Sequence, residues 1–220
     1  VKAFVNNFNH FTWTKSLVEN LYRLGAEPVI VDNASTYPPL IEWYDSTPCE
    51  IIRLETNTGH LAPWSSGSVN RIATGYYIVT DSDLDISEVP NDTVSHLIDG
   101  YNKHKVVKCG LSIRIDDLPE TKMGQVARTW EAHFWARPTG DGFFHADIDT
   151  TFAVYHKDKE PTRVYPALRA NSPYTARHMP WYITPHNITE EFEYFMATTS
   201  KSETSSWNEL VATIYEGSNE

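Results

Sequence analysis

Three acidic side chains, Asp81, Asp83 and Asp85, alternate at the end of the segment Tyr76-Tyr77-Ile78-Val79-Thr80-Asp81-Ser82-Asp83-Leu84-Asp85, directly behind residues of strand-forming type. Clustered carboxylates repel one another and resist burial, so a cation or water must meet them. Hard divalent ions such as Mn²⁺ or Mg²⁺ are held by a few carboxylates plus the phosphates of a ligand, which makes Asp81 and Asp83 a candidate cation site. Taken alone, Asp-x-Asp is common by chance and more often marks an acidic loop ahead of a helix. A second pair, Asp147 and Asp149, precedes the apolar run at 151–155. At strand spacing the two carboxylates point the same way, so one could act as a general base while the other orients; Asp149, nearer the run, is the first choice and Asp147 the reserve.

Other side chains have weaker individual claims. His178 stands between Arg177 and Met179-Pro180-Trp181, and imidazole is a good Mn²⁺ ligand; a structural histidine is the equal alternative. Arg114, Arg169 and Arg177 suit a diphosphate or a sugar through the planar guanidinium, although surface ion pairs account for them as well. Asp116, beside Asp117, could bond sugar hydroxyls. Trp130, Trp135 and Trp181 lie among polar residues, where an indole either stacks on a sugar ring or packs in a core.

Such groups need rigid elements to aim them. Residues 2–7 read as a buried strand, and Trp13, Leu17, Val18, Leu21 and Leu24 then recur at helical spacing, with Gly25 placed to end the helix. Residues 28–32, 50–54, 76–80 and 105–113 read as further strands. Pro38-Pro39 opens a short helix reaching Tyr44, and Asp92 is placed to cap a helix with Val94, Leu97, Ile98 and Tyr101 on one face. The second half is less regular, with one clear strand at 151–155 and a capping box at Ser206 and Glu209 ahead of a helix carrying Trp207, Leu210, Val211, Ile214 and Tyr215. Strands alternating with helices predict a mostly parallel sheet flanked by helices in a single α/β domain. Ligands of such sheets bind beyond the carboxyl ends of the strands. Asn6-Asn7, Asp32-Asn33, Thr56-Asn57 and Asp81-Ser82-Asp83 are therefore expected to face one crevice.

The segments FVNNFNHFTW, VIVDNASTYPPL, NTGHLAPW and YYIVTDSDL resemble, in content and order, the GT-A fold glycosyltransferases of the family-2 type. The resemblance covers roughly residues 1–115, the nucleotide-sugar-binding part, and leaves 116–220 as the acceptor and catalytic part. A second block, the Ala146-Asp147-Ile148-Asp149-Thr150-Thr151 run followed by Tyr174 to Tyr182, is similar to a subgroup of bacterial and viral sugar transferases. More narrowly, the chain resembles a glycosyltransferase domain encoded by large chlorella viruses, which build glycans on their capsid protein. The resemblance implies a Rossmann-like GT-A sheet and a metal-dependent, inverting transfer of a hexose or deoxyhexose from a nucleotide donor, UDP-sugar by analogy, to a glycan or glycoprotein. It places Asn7, Phe8, Asp32, Asn57 and Asp81 at the nucleotide, with Phe8 stacking on the base. Asp83 and His178 fall at the Mn²⁺ (or Mg²⁺) ion, Arg114, Asp116 and Arg177 at the sugar and diphosphate, Trp135 and Trp181 at the acceptor, and Asp149 or Asp147 at the base. Asn57 as a turn former and Phe8 as core remain open readings.

Composition narrows the field further. The 220 residues carry 18 basic and 29 acidic side chains, a net charge of −11, which argues against nucleic-acid binding. The apolar runs are shorter than the ~20 residues that span a bilayer. Two cysteines, Cys49 and Cys109, are too few for a disulfide framework and match no zinc motif. A soluble, cytoplasmic protein is the resulting expectation (host cytoplasm if the gene is viral), and Val1 with a polar end at 217–220 suggests a piece cut from a longer chain. Three Asn-x-Ser/Thr acceptor patterns, at Asn33, Asn91 and Asn187, are read as accidental. A sugar nucleotidylyltransferase would need an early glycine-rich phosphate loop, and Gly25 is the one glycine in the first fifty residues. A degenerate transferase that only binds carbohydrate is the competing class.

Overall fold

The computed structural model describes residues 1–159, 161 and 166–199; the helix expected after Ser206 lies outside them. Strands β1 (Lys2–Asn7), β2 (Glu27–Asp32), β3 (Glu50–Arg53) and β4 (Tyr76–Asp81) run parallel in the order β3-β2-β1-β4. Helices α1 (Thr12–Arg23), α2 (Pro38–Tyr44), α3 (Ala62–Ser65) and α4 (Ser68–Ile72) connect them. Strand alternation sorts the side chains between two cores. Ala3, Val5, Ile30 and Ile78 face α1 and α2, where Leu17, Leu21 and Leu40 are buried, whereas Phe4, Val29, Val31 and Val79 face Ala62 and Val69 of α3 and α4. The α1 helix ends as its glycine predicts, with Gly25 at φ +72°, a backbone region that costs other residues about 1 kcal/mol or more.

The sheet continues through β5 (Leu84–Asp85), β6 (Lys108–Ile113), β7 (Phe143–His145), β8 (Ala153–His156) and β9 (Ala167–His178), with α5 (Thr93–His104), α6 (Lys122–Glu131) and α7 (Glu190–Thr198) around them. The full order is β3-β2-β1-β4-β8-β6-β9-β5, with β7 on β9. β8 is antiparallel to both β4 and β6. Its insertion brings the segment before it, with Asp147 and Asp149, to the end of β4 where Asp81 lies. Close approach of β8 also explains Gly110: a Cβ there would lie 2.4 Å from the Phe152 carbonyl oxygen. The result is a mixed α/β single domain with a curled, mostly parallel sheet flanked by helices.

Several sequence expectations need correction. The strand expected from 105 starts at Lys108, because Lys105 ends α5 in the left-handed region at φ +53°. The strand expected from 151 starts at Ala153, after bends at 149–152. Asp92 makes no side-chain cap to α5 and instead accepts from the Tyr174 hydroxyl at 3.1 Å. The long β9 was not foreseen, since Asn171, Ser172 and Pro173 interrupt its apolar pattern; they sit where its register with β6 shifts.

Candidate active site

The strand ends open into a cleft of about 880 Å³. On its nucleotide side, the amide of Asn33 donates to Asn6 Oδ1 at 2.8 Å and to the Gly59 carbonyl at 3.0 Å, and its oxygen accepts from the Thr58 amide at 3.1 Å. Phe8 is half-buried there, edge-on to Phe195 at 6.2 Å. Asn57 lines the same wall while accepting from the Gly59 amide at 2.9 Å, so the turn role holds within the cleft lining. Asn7 and Asp32 differ from expectation: both are fully buried behind this wall. Asn7 donates to the Tyr44 hydroxyl at 2.9 Å, which donates to Asp32 at 2.9 Å. Asp32 also accepts from the Ser35 amide at 3.2 Å and pairs with Arg53 at 3.3 Å. Alternation is the reason: the neighbouring residues Asn6 and Asn33 take the cleft-facing positions.

At the floor, Asp81 accepts from the Thr150 hydroxyl at 2.6 Å. Burial, aided by Asp83 and Asp149, pushes its carboxyl well above the usual range. Asp83 behaves oppositely. Burial pushes it up too, but the His178 imidazole 3.2 Å away, with His10 and a backbone bond, outweighs burial and holds it low. Asp83 Oδ1 and His178 Nδ1 are buried and have no hydrogen-bond partner among the described residues. A carboxylate oxygen and an imidazole nitrogen are donor types that hold a hard or borderline cation, and the 3.2 Å contact between the two side chains is made by their other atoms, Oδ2 and Nε2. Among the described residues no group of three His, Cys, Asp or Glu side chains is placed to hold a metal, so oxygens of a bound ligand and water would complete such a shell.

His178 reaches Asp83 because β9 runs antiparallel to β5, pairing His178 with Leu84 and Arg177 with Asp85. Arg177, one residue earlier, therefore lies away from the cleft. It bonds Asp117 at 2.7 Å and Glu88 at 3.0 Å, and Arg114 bonds Glu88 at 2.9 Å and Asp116 at 2.7 Å. Arg114, Asp116 and Trp135 line a separate cavity of about 500 Å³. The structure thus groups Arg114, Asp116 and Arg177 in their own ion-pair network, outside the cleft that holds Asp81, Asp83 and His178. Trp181 is buried in the cleft wall with its ring 4.7 Å from that of His178.

The cleft lining also carries Asp147 and Asp149, both exposed, while Ala146, Ile148 and Thr150 are buried. The two carboxylates alternate as a strand would place them, although the segment is a loop. Beneath it, Arg169 of β9 is 4% exposed. Its Nε donates to the Asp147 carbonyl at 2.7 Å, its Nη1 pairs with the equally buried Glu131 of α6, and its guanidinium lies 3.8 Å over the Phe134 ring. Burial pulls the Arg169 pKa down and pushes that of Glu131 up, and each charge partly restores the other.

Sequence reading missed four contributors. Glu131 and Thr150 lack any local signal of their partners. His10 is 6% exposed, lies on Phe195 at 4.2 Å and has its pKa lowered by burial. Glu191 caps α1 from far along the chain, accepting from the Phe11 amide at 2.7 Å, the Thr12 amide at 3.0 Å and the Thr12 hydroxyl at 2.6 Å. A carboxylate at a helix N-terminus is favourable, and α1 has no side-chain cap at its own N-cap residue. The contact ties α7, with Phe195, against the cleft.

A crevice at the carboxyl ends of parallel strands, with β8 reversed into the sheet, is consistent with a Rossmann-like GT-A fold. Among solved structures the chain is similar to TarS of S. aureus, a glycosyltransferase: against its segment 1-349 the TM-score is 0.51 at 13% identity, covering 89% of this chain and 62% of that one. At that identity the likeness establishes the fold alone, and the chain spans less than two thirds of that structure. A longer TarS structure (TM-score 0.49, 13% identity, 89% and 38% covered) and a 4-diphosphocytidyl-2C-methyl-D-erythritol synthase from Anaerococcus prevotii (TM-score 0.38, 9% identity, 98% and 83% covered) are more distant. No protein-family model and no curated protein matches the sequence.

Proposed function

We propose that the chain is a metal-dependent glycosyltransferase that moves a sugar from a nucleotide diphosphate donor to a glycan hydroxyl. The observation that carries this reading is one cleft lined by the Asp83–His178 pair together with Asp147 and Asp149. A bound Mn²⁺ or Mg²⁺ would supply positive charge to the departing diphosphate. Phe8, Asn57 and the Asn6–Asn33 pair receive the nucleoside, with Phe8 offering a face to the base. Asp32 and Asn7 act one layer behind, holding that wall in place.

Transfer breaks the bond between the anomeric carbon and the diphosphate oxygen and forms one to the acceptor oxygen. Asp149 takes the acceptor proton, with Asp147 as reserve; the inverting outcome that the resemblance implies requires this base on the side of the sugar opposite the diphosphate. UDP-sugar as donor, a hexose or deoxyhexose as the group moved, and a glycoprotein glycan such as a viral capsid's as acceptor rest on the sequence resemblance alone. Trp181 sits at the cleft, while Trp135, in the separate cavity, serves an acceptor only if it extends there.

The test is nucleoside diphosphate release from a panel of nucleotide sugars, with and without Mn²⁺. Metal-dependent release from one donor supports an enzyme. Stabilisation by a donor without release makes the chain a degenerate binding module, and neither effect with any donor refutes the reading.

A further inference from the structure

The cleft's charge is lopsided. Beyond the matched Glu131–Arg169 pair, Asp83, Asp147 and Asp149 line it, with no further arginine and no lysine among the described lining residues. Arg169 is already engaged: its Nε donates to the Asp147 carbonyl, its Nη1 pairs with Glu131 and the Phe134 ring lies against its guanidinium. The histidines do not redress the balance. His10 is buried against Phe195, His178 is engaged by Asp83, and the third lining histidine, His60, is likewise not free. A divalent cation would not change the sign either, because its two charges offset those of the diphosphate it binds. The arginines that could receive an anion, Arg114 and Arg177, are outside the cleft and already paired with Glu88, Asp116 and Asp117.

Deepening the proposed function and resting on it, we infer that this cleft accepts only uncharged sugars: a neutral hexose or deoxyhexose donor and a neutral acceptor residue, with uronates, sialates and phosphorylated glycans rejected. A carboxylate on the transferred ring would enter beside Asp147 and Asp149 with no free cation to meet it. Unpaired like charges a few Å apart weaken binding by about tenfold or more at the effective dielectric of a partly open site. Neutral hydroxyls are suited to the same carboxylates, which accept hydrogen bonds without repulsion.

Matched donors isolate the charge. UDP-glucose and UDP-glucuronate differ at C6 alone, as do UDP-galactose and UDP-galacturonate. GDP-mannose, dTDP-rhamnose, UDP-N-acetylglucosamine and CMP-sialate complete the panel, each assayed with Mn²⁺ for stabilisation of the fold and for nucleotide release. Every active donor is expected to carry a neutral sugar, and each uronate is expected to act at least about tenfold more weakly than its neutral partner. In Asp147→Asn that ratio should shrink, even though overall rates fall. A uronate or sialate donor equal to or better than its neutral counterpart overturns this inference while leaving the transferase reading intact. Silence across the whole panel overturns both.

Discussion

Replacing Glu131 with glutamine removes one charge from a pair whose side chains are 3% and 4% exposed. The Arg169 guanidinium then stays buried with neutral acceptors and an aromatic face around it, and only the Asp147 and Asp149 carboxylates remain to offset its charge. Breaking a buried pair by removing one partner costs ~3–5 kcal/mol. For a chain of this size ~1 kcal/mol corresponds to roughly 2–4 °C of melting temperature, so Glu131→Gln should melt roughly 6–20 °C below the wild type. Exchanging both partners for apolar groups, Glu131→Leu with Arg169→Met, removes the desolvation penalty along with the attraction and is often near neutral. Here it also strips the Asp147 carbonyl of its donor, a loss of ~1–3 kcal/mol. The double variant should therefore sit between wild type and either single variant. Thermal and urea denaturation followed by circular dichroism give the comparison. A Glu131→Gln protein within ~1 kcal/mol of wild type, or a double variant worse than the sum of the singles, would refute the claim that a mutually dependent pair supports this wall.

Asp149→Asn should cut transfer by ~10²–10⁴-fold, the usual worth of a general base, while a donor still stabilises the fold normally; near-normal turnover, with collapse in Asp147→Asn, transfers the role to Asp147. Asp83→Ala should abolish the extra thermal stabilisation that Mn²⁺ gives a nucleoside diphosphate, and His178→Ala should weaken it less; unchanged metal response in both sinks the proposed cation site. The thiols of Cys49 and Cys109 are free and buried, that of Cys49 pushed up to about 11 and that of Cys109 further still, mainly by burial. A thiol reagent at pH 8 should accordingly label both only after denaturation, and rapid labelling of the native chain would contradict the described core.

The strands of the first half were legible because each is a short apolar run closed by polar residues, a pattern that survives any tertiary context. The Asp81–Asp83 floor and the distant His178 were legible through family resemblance more than through spacing. What stayed hidden depends on pairing across the chain. No local rule tells that Glu191 caps α1, that Glu131 faces Arg169, or that β8 enters the sheet reversed. Arg114 and Arg177 were misplaced for a related cause. A guanidinium suits phosphate and carboxylate alike, and only the fold decides that Asp116, Asp117 and Glu88 claim these two first.

The register shift on β9 separates chain length from site geometry. Up to Ala170 the strand follows β6 residue by residue, Ala170 opposite Leu111, and it resumes with Thr175 opposite Ser112. Residues 171–174 have no counterpart across the ladder, and Asn171, Ser172 and Pro173 face outward. Arg169 is thus held opposite Gly110 of β6 and His178 opposite Leu84 of β5, and not by the sequence that joins them. Lengthening or trimming the spare segment would leave both side chains at the same cleft. This stretch is where the chain can drift in length while its chemistry stands still, and where an alignment by sequence alone would lose the histidine.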